Sequence, residues 1–433
     1  MRESVRTIER FEAARRSNLL GGAAMRFLAQ CLALLGAALM SSQLQAQSAK
    51  DALYAGFDAQ KRGDYAAAVT QYQQACTDGE AMGCYASGSV YELGRGVDKD
   101  EVRAAGFYQQ ACIGGVAEGC YKLALLYDPD QGVTKDGVRA AGLYQQACTG
   151  GDAAGCVALG ELYARGNGVA LDEARAAVLF EHACTGGNAK GCAGLGDRYL
   201  EGEGVAKDKA RAATLYQQAC TGGDRNACES LGLLYEQGHG VVENEVRAAE
   251  LYQQACTGGD AWACATLGDR HSQDHAGVAK DQVRAAKLYQ QACTGGVVRG
   301  CYRLGDFYAN GQGVAKDEVR AAGFYDQACT GGSMGGCENL AMRYEQGRGV
   351  AKDETRAASL YQQICTRGTA SDCLHLGDLY RDGRGVTKDT ARALKLYHQA
   401  LTFDSRPENA ELVRTRLNSL SAARARRSTK RKH

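Results

Sequence analysis

Along most of the chain, small and apolar residues recur at the i, i+3, i+4, i+7 spacing that lays one stripe down a helix. From Asp208 the stripe is Ala212, Leu215, Tyr216 and Ala219, and after Thr221, Gly222 and Gly223 it resumes as Cys228, Leu231, Gly232 and Tyr235. Asp208 is a good N-cap because its carboxylate accepts the free amides of a first turn. Glycine just past the last periodic residue stops a helix because it tolerates positive φ. Gly238, His239 and Gly240 form a second stop, leading to the next cap at Asn244. The period-two alternation of strands is absent. The prediction is a series of αα-hairpins and an all-α fold. Below, the helix after the Thr-Gly-Gly turn is the leading helix of a repeat, and the Asp-capped helix that follows is the returning helix.

The hairpin repeats. Of 19 cysteines, all but Cys31 fall into pairs with seven residues between: Cys76 and Cys84, Cys112 and Cys120, Cys148 and Cys156, Cys184 and Cys192, Cys220 and Cys228, Cys256 and Cys264, Cys293 and Cys301, Cys329 and Cys337, Cys365 and Cys373. The first members recur every 36 residues, with a single step of 37 from Cys256 to Cys293. A hairpin that buries one stripe per helix has no core of its own and must stack on its neighbours. About ten hairpins are predicted over residues 52–401, a solenoid whose first turn, at Arg62, Gly63 and Asp64, is short, as suits a capping repeat. Ser405, Arg406, Pro407 and Glu408 then form a capping box before Leu412, Val413, Arg416, Leu417 and Leu420, which predicts a closing helix over 402–421.

The run L-G-x-x-Y-x-x-G-x-G-V-x-x-D-x-x-x-A-A-x-L-Y-x-x-A, from Leu195 to Ala219 and in nearly every other unit, resembles the Sel1-like repeat, a relative of the tetratricopeptide repeat. The resemblance covers roughly 52–401 and implies a right-handed α-solenoid. The C-x7-C pair in each unit is similar to the cysteine-rich subgroup. That subgroup includes secreted bacterial members regarded as penicillin-binding proteins or β-lactamases, and a mitochondrial intermembrane-space member linked to cytochrome oxidase assembly. A β-lactam or cell-wall fragment as ligand is what this resemblance implies.

Each pair places one cysteine at the end of a returning helix and the other on the next leading helix. Packed antiparallel helices bring such positions within the roughly 4.4 to 6.8 Å between Cα atoms that a disulfide needs. Closing a nine-residue loop stabilises by about 2.6 kcal/mol in the chain-entropy picture. Structural zinc favours closer pairs, and the C-x-x-C spacing of redox thiols is absent, so metal binding and redox chemistry stand as rival readings to one disulfide per repeat.

Disulfides need an oxidising compartment. Arg26 followed by the apolar run 27–40 and then Ser41, Ser42, Gln43, Leu44, Gln45 and Ala46 reads as a signal peptide cut after Ala46, since the run is too short to span a bilayer. Residues 1–46 are then leader and extension, the mature chain starts near Gln47, and Cys31 is removed. Arginine and serine in 1–24 also suit a mitochondrial transit peptide, against which stand Glu3, Glu9 and Glu12. The expected location is periplasmic or secreted, with no membrane-spanning segment.

With 45% hydrophobic and 23% charged residues the chain is neither disordered nor membrane-embedded. The formal charge of +1 hides a basic tail over 422–433, with Arg424, Arg426, Arg427, Lys430, Arg431 and Lys432, on an acidic body. No aromatic residues interleave with it, so it reads as a solvated terminus and nucleic acid is not an expected partner.

Candidate chemistry is sparse. A serine β-lactamase needs Ser-x-x-Lys with Lys-Thr-Gly, and neither occurs. The one metal candidate is His271, Asp274 and His275, in the unit with the 37-residue step, where His271 replaces the tyrosine found at Tyr199 and Tyr235; its alternative is a drifted loop with surface histidines. Tyrosines recur at one position of the returning helix (Tyr108, Tyr144, Tyr252, Tyr289) and one of the leading helix (Tyr91, Tyr127, Tyr163, Tyr308), which reads as packing. The arginine three after each cap, as at Arg103, Arg139, Arg284 and Arg320, reads as a helix-start salt bridge or carbonyl contact, with a basic binding stripe as the alternative. Trp262, the only tryptophan, stands where other repeats have Ala154 or Asn226 and is a candidate partner contact. The leading functional reading is an exported scaffold that holds a protein or peptide in its superhelical groove. A β-lactam-binding hydrolase is the alternative, and an assembly factor of an oxidising organelle a third. No cofactor is implied.

Overall fold

The computed structural model describes residues 22–130, 132, 135–274, 278–403, 411 and 413–418. They form two compact units, Met1–Lys207 and Asp208–His433. In the first, α1 (Gly22–Lys61) turns back as α2 (Tyr65–Thr77), and α3 (Ala81–Leu93), α4 (Glu101–Ile113), α5 (Ala117–Tyr127), α6 (Gly137–Thr149), α7 (Ala153–Arg165), α8 (Glu173–Thr185) and α9 (Ala189–Glu201) follow. The second comprises α10 (Lys209–Thr221), α11 (Arg225–Gln237), α12 (Glu245–Thr257), α13 (Ala261–Ser272), α14 (Gln282–Thr294), α15 (Val298–Asn310), α16 (Glu318–Thr330), α17 (Met334–Gln346), α18 (Glu354–Cys365), α19 (Ala370–Asp382) and α20 (Thr390–Phe403). The fold is the all-α stack of hairpins that the periodicity predicts.

Its boundaries follow local chemistry. Asp208 accepts the amides of Ala210 and Arg211, and Asn244 that of Arg247, so each cap satisfies donors left free in a first turn. Gly238 ends α11 in the left-handed region at φ 63°, its amide on Leu234 O. Gly240, at φ 74°, has a second constraint: a Cβ there would lie 2.3 Å from the carbonyl carbon of Lys209. The loop between helices therefore rests directly on the start of the preceding returning helix.

The glycine of L-G-x-x-Y makes room for the core. At Gly232 a Cβ would come within 2.8 Å of the Tyr252 ring. Tyr72, Tyr108, Tyr144, Tyr216, Tyr252, Tyr289, Tyr325, Tyr361 and Tyr397 are the largest fully buried side chains, each the knob of its hairpin. A buried phenol needs a hydrogen-bond partner. Tyr144 donates to Asp128 at 2.8 Å, Tyr252 to Glu236 at 2.7 Å and Tyr397 to Asp378 at 2.7 Å, and burial pushes these phenols well above their ordinary value, keeping them donors.

The leading-helix tyrosines differ from the packing expectation. Most are only half-buried, and an arginine from the next returning helix covers the ring, as Arg139 does over Tyr127 at 4.1 Å and Arg392 over Tyr380 at 4.5 Å. Some of these arginines also reach their cap, Arg103 to Asp100 and Arg356 to Asp353 at 3.3 Å.

Every cysteine pair of the 36-residue period is a disulfide, one per repeat. In the first unit Cys76 is bonded to Cys84, Cys112 to Cys120, Cys148 to Cys156 and Cys184 to Cys192, with Cα–Cα distances of 4.4 to 4.6 Å. In the second Cys220 is bonded to Cys228, Cys256 to Cys264, Cys293 to Cys301, Cys329 to Cys337 and Cys365 to Cys373, at 4.4 to 4.8 Å. These separations fall inside the window the antiparallel packing predicts, and they leave no paired cysteine as a thiolate for metal or redox chemistry. In several repeats the second glutamine of Y-Q-Q-A-C reaches back to the staple formed by the cysteines one period earlier. Gln110 Oε1 lies 3.1 Å from Cys76 Sγ and 3.7 Å from Cys84 Sγ, and Gln327 Oε1 lies 3.3 Å from Cys293 Sγ and 3.9 Å from Cys301 Sγ. Among the described residues Cys31 is the free thiol.

At the amino end α1 runs unbroken through Ala46, the expected cut, and its packing begins at Ala49, 2% exposed, three residues before the predicted solenoid start. No described helix is long and apolar enough to cross a membrane. At the other end the helical segment 413–418 lies on the last hairpin, with Val413 buried beside Leu396 and Tyr397 and Arg416 Nε 2.9 Å from Asp378. The capping box at 405–408, Leu412, Leu420 and the basic tail 422–433 lie outside the described residues.

Candidate functional site

In the second unit the leading helices α11, α13 and α15 line a groove of about 620 Å³. The repeat register explains its composition. Asn226, Trp262 and Arg299 hold one position in three consecutive repeats, Ser230, Thr266 and Arg303 another, and Leu233, Asp269 and Asp306 a third. Successive copies of a position stand side by side, so Ser230, Thr266 and Arg303, with Leu233, Asp269 and Arg299, line the groove with side chains that differ between repeats, while Tyr252 contributes to its wall and Trp262 stands beside it against Arg299.

Trp262 sits in the first turn of α13, where Asp260 caps its amide at 2.9 Å, and its side chain is 58% exposed. The Arg299 guanidinium lies 6.0 Å from the indole centroid, donates to Thr266 Oγ1 at 2.9 Å and pairs with Asp269 at 3.4 Å. Arg303 reaches the other Asp269 oxygen at 3.4 Å, and that oxygen also accepts from Tyr289 at 2.7 Å. Deeper in the groove Arg270 pairs with Glu236 and, at 3.3 Å, with Glu245. Burial, and then the neighbouring Asp260 carboxylate, push the Glu229 carboxyl above its ordinary value. The result is an exposed indole beside two half-exposed guanidinium groups that share one carboxylate, over a floor of satisfied ion pairs. Such a surface offers stacking area and charge-assisted donors to an extended peptide.

Of the metal candidates, His271 and Asp274 are among the described residues. His271 is buried, and its Nδ1 lies 3.1 Å from the Ala279 carbonyl, which can only accept, so Nδ1 carries the proton. Asp274 is exposed, and His275 lies outside the described residues. No group of three His, Cys, Asp or Glu side chains among the described residues is placed to hold a metal. His271 is inward because its position is that of the leading-helix tyrosine, so the surface-histidine expectation also fails for it. Loss of the loop glycine shows at the helix end, where Gln273 is extended at φ −131°.

Trp262 stands out in the sequence as the lone tryptophan at a variable position, whereas Arg299, Arg303, Asp269 and Glu229 do not. For Arg299, Arg303 and Glu229 the signal is departure from most other repeats at leading-helix positions, visible once the units are aligned at 36 residues and the single step of 37, whereas Asp269 shares its position with Asp197, Asp306 and Asp378.

The chain matches the Sel1 repeat family at residues 81–116, 117–152, 153–188, 189–224, 225–260, 263–297, 298–333, 336–369 and 370–402. Among solved structures it is similar to a protective antigen present in uropathogenic Escherichia coli strains that displays an SLR fold, with 25% identity, 87% of this chain and 90% of that one covered, and a TM-score of 0.56. A Sel1 repeat protein from Oxalobacter formigenes is 22% identical over 71% of this chain and 88% of its own, with a TM-score of 0.53. Cysteine rich protein B of Helicobacter pylori is 33% identical over 31% of this chain and 97% of its own, with a TM-score of 0.27. No curated protein matches the chain.

Proposed function

The chain belongs to the Sel1 repeat family, and from that premise we propose that it is an exported, disulfide-stapled scaffold that binds a protein or peptide partner along its leading helices, with the groove around Trp262 as the contact. One observation carries this reading: side chains that vary between repeats, Ser230, Thr266, Arg299 and Arg303 among them, line a solvent-facing groove, and an exposed tryptophan lies beside it against Arg299, residue types enriched where binding energy concentrates. Export rests on the disulfides, one in every repeat, which persist where thiols are not kept reduced. Periplasm or the medium fits the apolar run 27–40 best.

With a single tryptophan in 433 residues, tryptophan emission excited selectively reports on this one place beside the groove. The oxidised chain, titrated with fractions of its native envelope, is expected to shift its emission with the fractions that a photo-crosslinker at Asn226 captures. Trp262→Ala with Arg299→Ala is expected to weaken binding of the captured partner by about a hundredfold, the combined worth of two hot-spot side chains. An unchanged affinity refutes the groove as the site. The β-lactam hydrolase alternative predicts turnover of a chromogenic cephalosporin above a heat-inactivated control, and the scaffold reading predicts none.

A further inference from the structure

Near the end of the leading helix α3, Tyr91 is held from two sides. Gln73, on the preceding returning helix, donates to Tyr91 Oη at 2.9 Å, and Arg103, on the following one, lies 5.6 Å from the ring centroid. The arginine half of this clasp recurs over Tyr163, Tyr308 and Tyr344, from Arg175, Arg320 and Arg356 at 4.5, 5.5 and 5.4 Å. Arg320 and Arg356 also donate to the phenol oxygens, at 3.2 and 3.0 Å.

In α13 the tyrosine is replaced by His271, and the clasp is still built. Gln253 of α12 and Arg284 of α14 are the counterparts of Gln73 and Arg103, and Arg284 donates to Gln253 Oε1 at 2.6 Å, as Arg175 does to Gln145 and Arg392 to Gln362 in repeats that keep their tyrosine, so the Gln253 amide group is left to donate. The smaller imidazole is turned to Ala279 O and does not fill the place of a phenol. A cavity of about 400 Å³ opens there, walled by Val246, Ala249, Leu267 and Val278, with Gln253 and Arg284 at its polar edge. Glu250 and Asp281 also face it and disfavour an anionic ligand.

We infer that this cavity binds a neutral phenolic ring, the tyrosine side chain of a partner, which takes in trans the place that a tyrosine of the chain itself takes in the other repeats. The walls match an aromatic face, Arg284 supplies the cation over the ring, and the Gln253 amide supplies a donor to the phenol oxygen. The inference rests on the partner-binding reading but shares no residue with the Trp262 groove, so the two stand or fall by separate measurements.

The test uses the oxidised chain and N-acetyl-L-tyrosinamide, followed by saturation-transfer NMR and titration calorimetry. The wild type is expected to bind it about tenfold more tightly than N-acetyl-L-leucinamide, the discrimination one aromatic and hydrogen-bonded contact supplies. His271→Tyr refills the cavity from within and is expected to abolish binding while raising Tm. Arg284→Ala is expected to weaken binding about fivefold with an unchanged circular dichroism spectrum. A wild type that does not bind, a leucinamide that binds equally well, or variants that bind like the wild type overturn the inference; should His271→Tyr misfold, Arg284→Ala decides. A pentapeptide with tyrosine between glycine pairs separates the sources: binding at least equal to the tyrosinamide supports a partner's side chain, and its exclusion overturns that assignment in favour of a free phenol.

Discussion

Asp372 gives the sharpest test of how the last repeats are held together. It precedes Cys373 on α19, where other repeats carry Gly83, Gly119, Gly300 or Gly336, or the alanines Ala227 and Ala263. The position is tight: a Cβ at Gly336 would lie 2.7 Å from Ala328 Cβ. Here a carboxyl replaces the hydrogen, and Ile364 stands where Ala328 stands one repeat earlier. The helices accommodate both by separating, and the Cα–Cα distance at Cys365–Cys373 is 4.8 Å against 4.4 Å at Cys329–Cys337. Asp372 is 0% exposed, and neither oxygen has a hydrogen-bond partner. Burial first, and then the Glu338 carboxylate, raise it from its ordinary 3.8 to about 7.

The sign follows from linkage. The folded state holds this proton more tightly than the unfolded chain, so stability is full below pH 4 and falls as pH rises towards 7. At about 1.36 kcal/mol per pH unit the loss is about 4 kcal/mol across that window. Asp372→Ala removes the titrating group and adopts the residue of Ala263. After about 1 kcal/mol for lost packing, the variant is expected to be about 3 kcal/mol more stable than the wild type at pH 8 and about 1 kcal/mol less stable at pH 4. A repeat array unfolds in parts, so local opening is the proper measure. Hydrogen exchange of the α18 and α19 amides, read at both pH values, is expected to show the crossover. If wild type and variant share one pH dependence, Asp372 is not a buried, uncompensated acid and the reasoning fails.

Further outcomes follow from the staples and the loops. Removing one staple by the double change Cys220→Ser and Cys228→Ser is expected to cost about 2.6 kcal/mol, read as increased exchange in α10 and α11 with distant helices unaffected. An equal loss along the whole chain refutes local stapling. Gly240→Ala combines a φ of 74° with a Cβ placed against Lys209 and is expected to cost about 3 kcal/mol or more, measured as a fall in Tm. An unchanged Tm refutes the close approach.

What the chain discloses depends on how often it says it. The caps, glycine stops, cysteine spacing and returning-helix tyrosines are each written many times over at one period, so a hairpin stack with one disulfide per repeat is legible from pattern alone. Arg299 and Arg303 are each written once, whereas Asp269 shares its position with Asp197, Asp306 and Asp378. The meaning of Arg299, Arg303 and Asp269 lies in proximity to Trp262, which periodicity shows only when the units are superposed. His271 misleads for the same reason: taken within His271, Asp274 and His275 it suggests a metal or a loose loop, whereas its register makes it the tyrosine of its repeat and sends it inward. Asp372 escapes notice because a single aspartate in an amphipathic helix is ordinary until its column is seen to be glycine and alanine.

The division of labour between the two kinds of position has a physical basis. Within each unit a hairpin is fixed by contacts that reach only to its neighbours: the cap at Asn244, the loop glycine Gly240 on Lys209, the Tyr252 knob against Gly232 and the Cys220–Cys228 staple. Stability of this kind is local and nearly additive. A leading-helix side chain that points away from those contacts can change from asparagine to tryptophan to arginine, as Asn226, Trp262 and Arg299 do, without weakening the stack. Asp372 and His271 are the complementary case, departures at inward positions, where the structure answers with an uncompensated carboxyl and an unfilled cavity. Outward departures build the groove and leave folding unaffected. Polar inward departures are destabilising unless a ligand or a proton compensates them, and that is why His271 and Asp372 are expected to respond to a phenol and to pH.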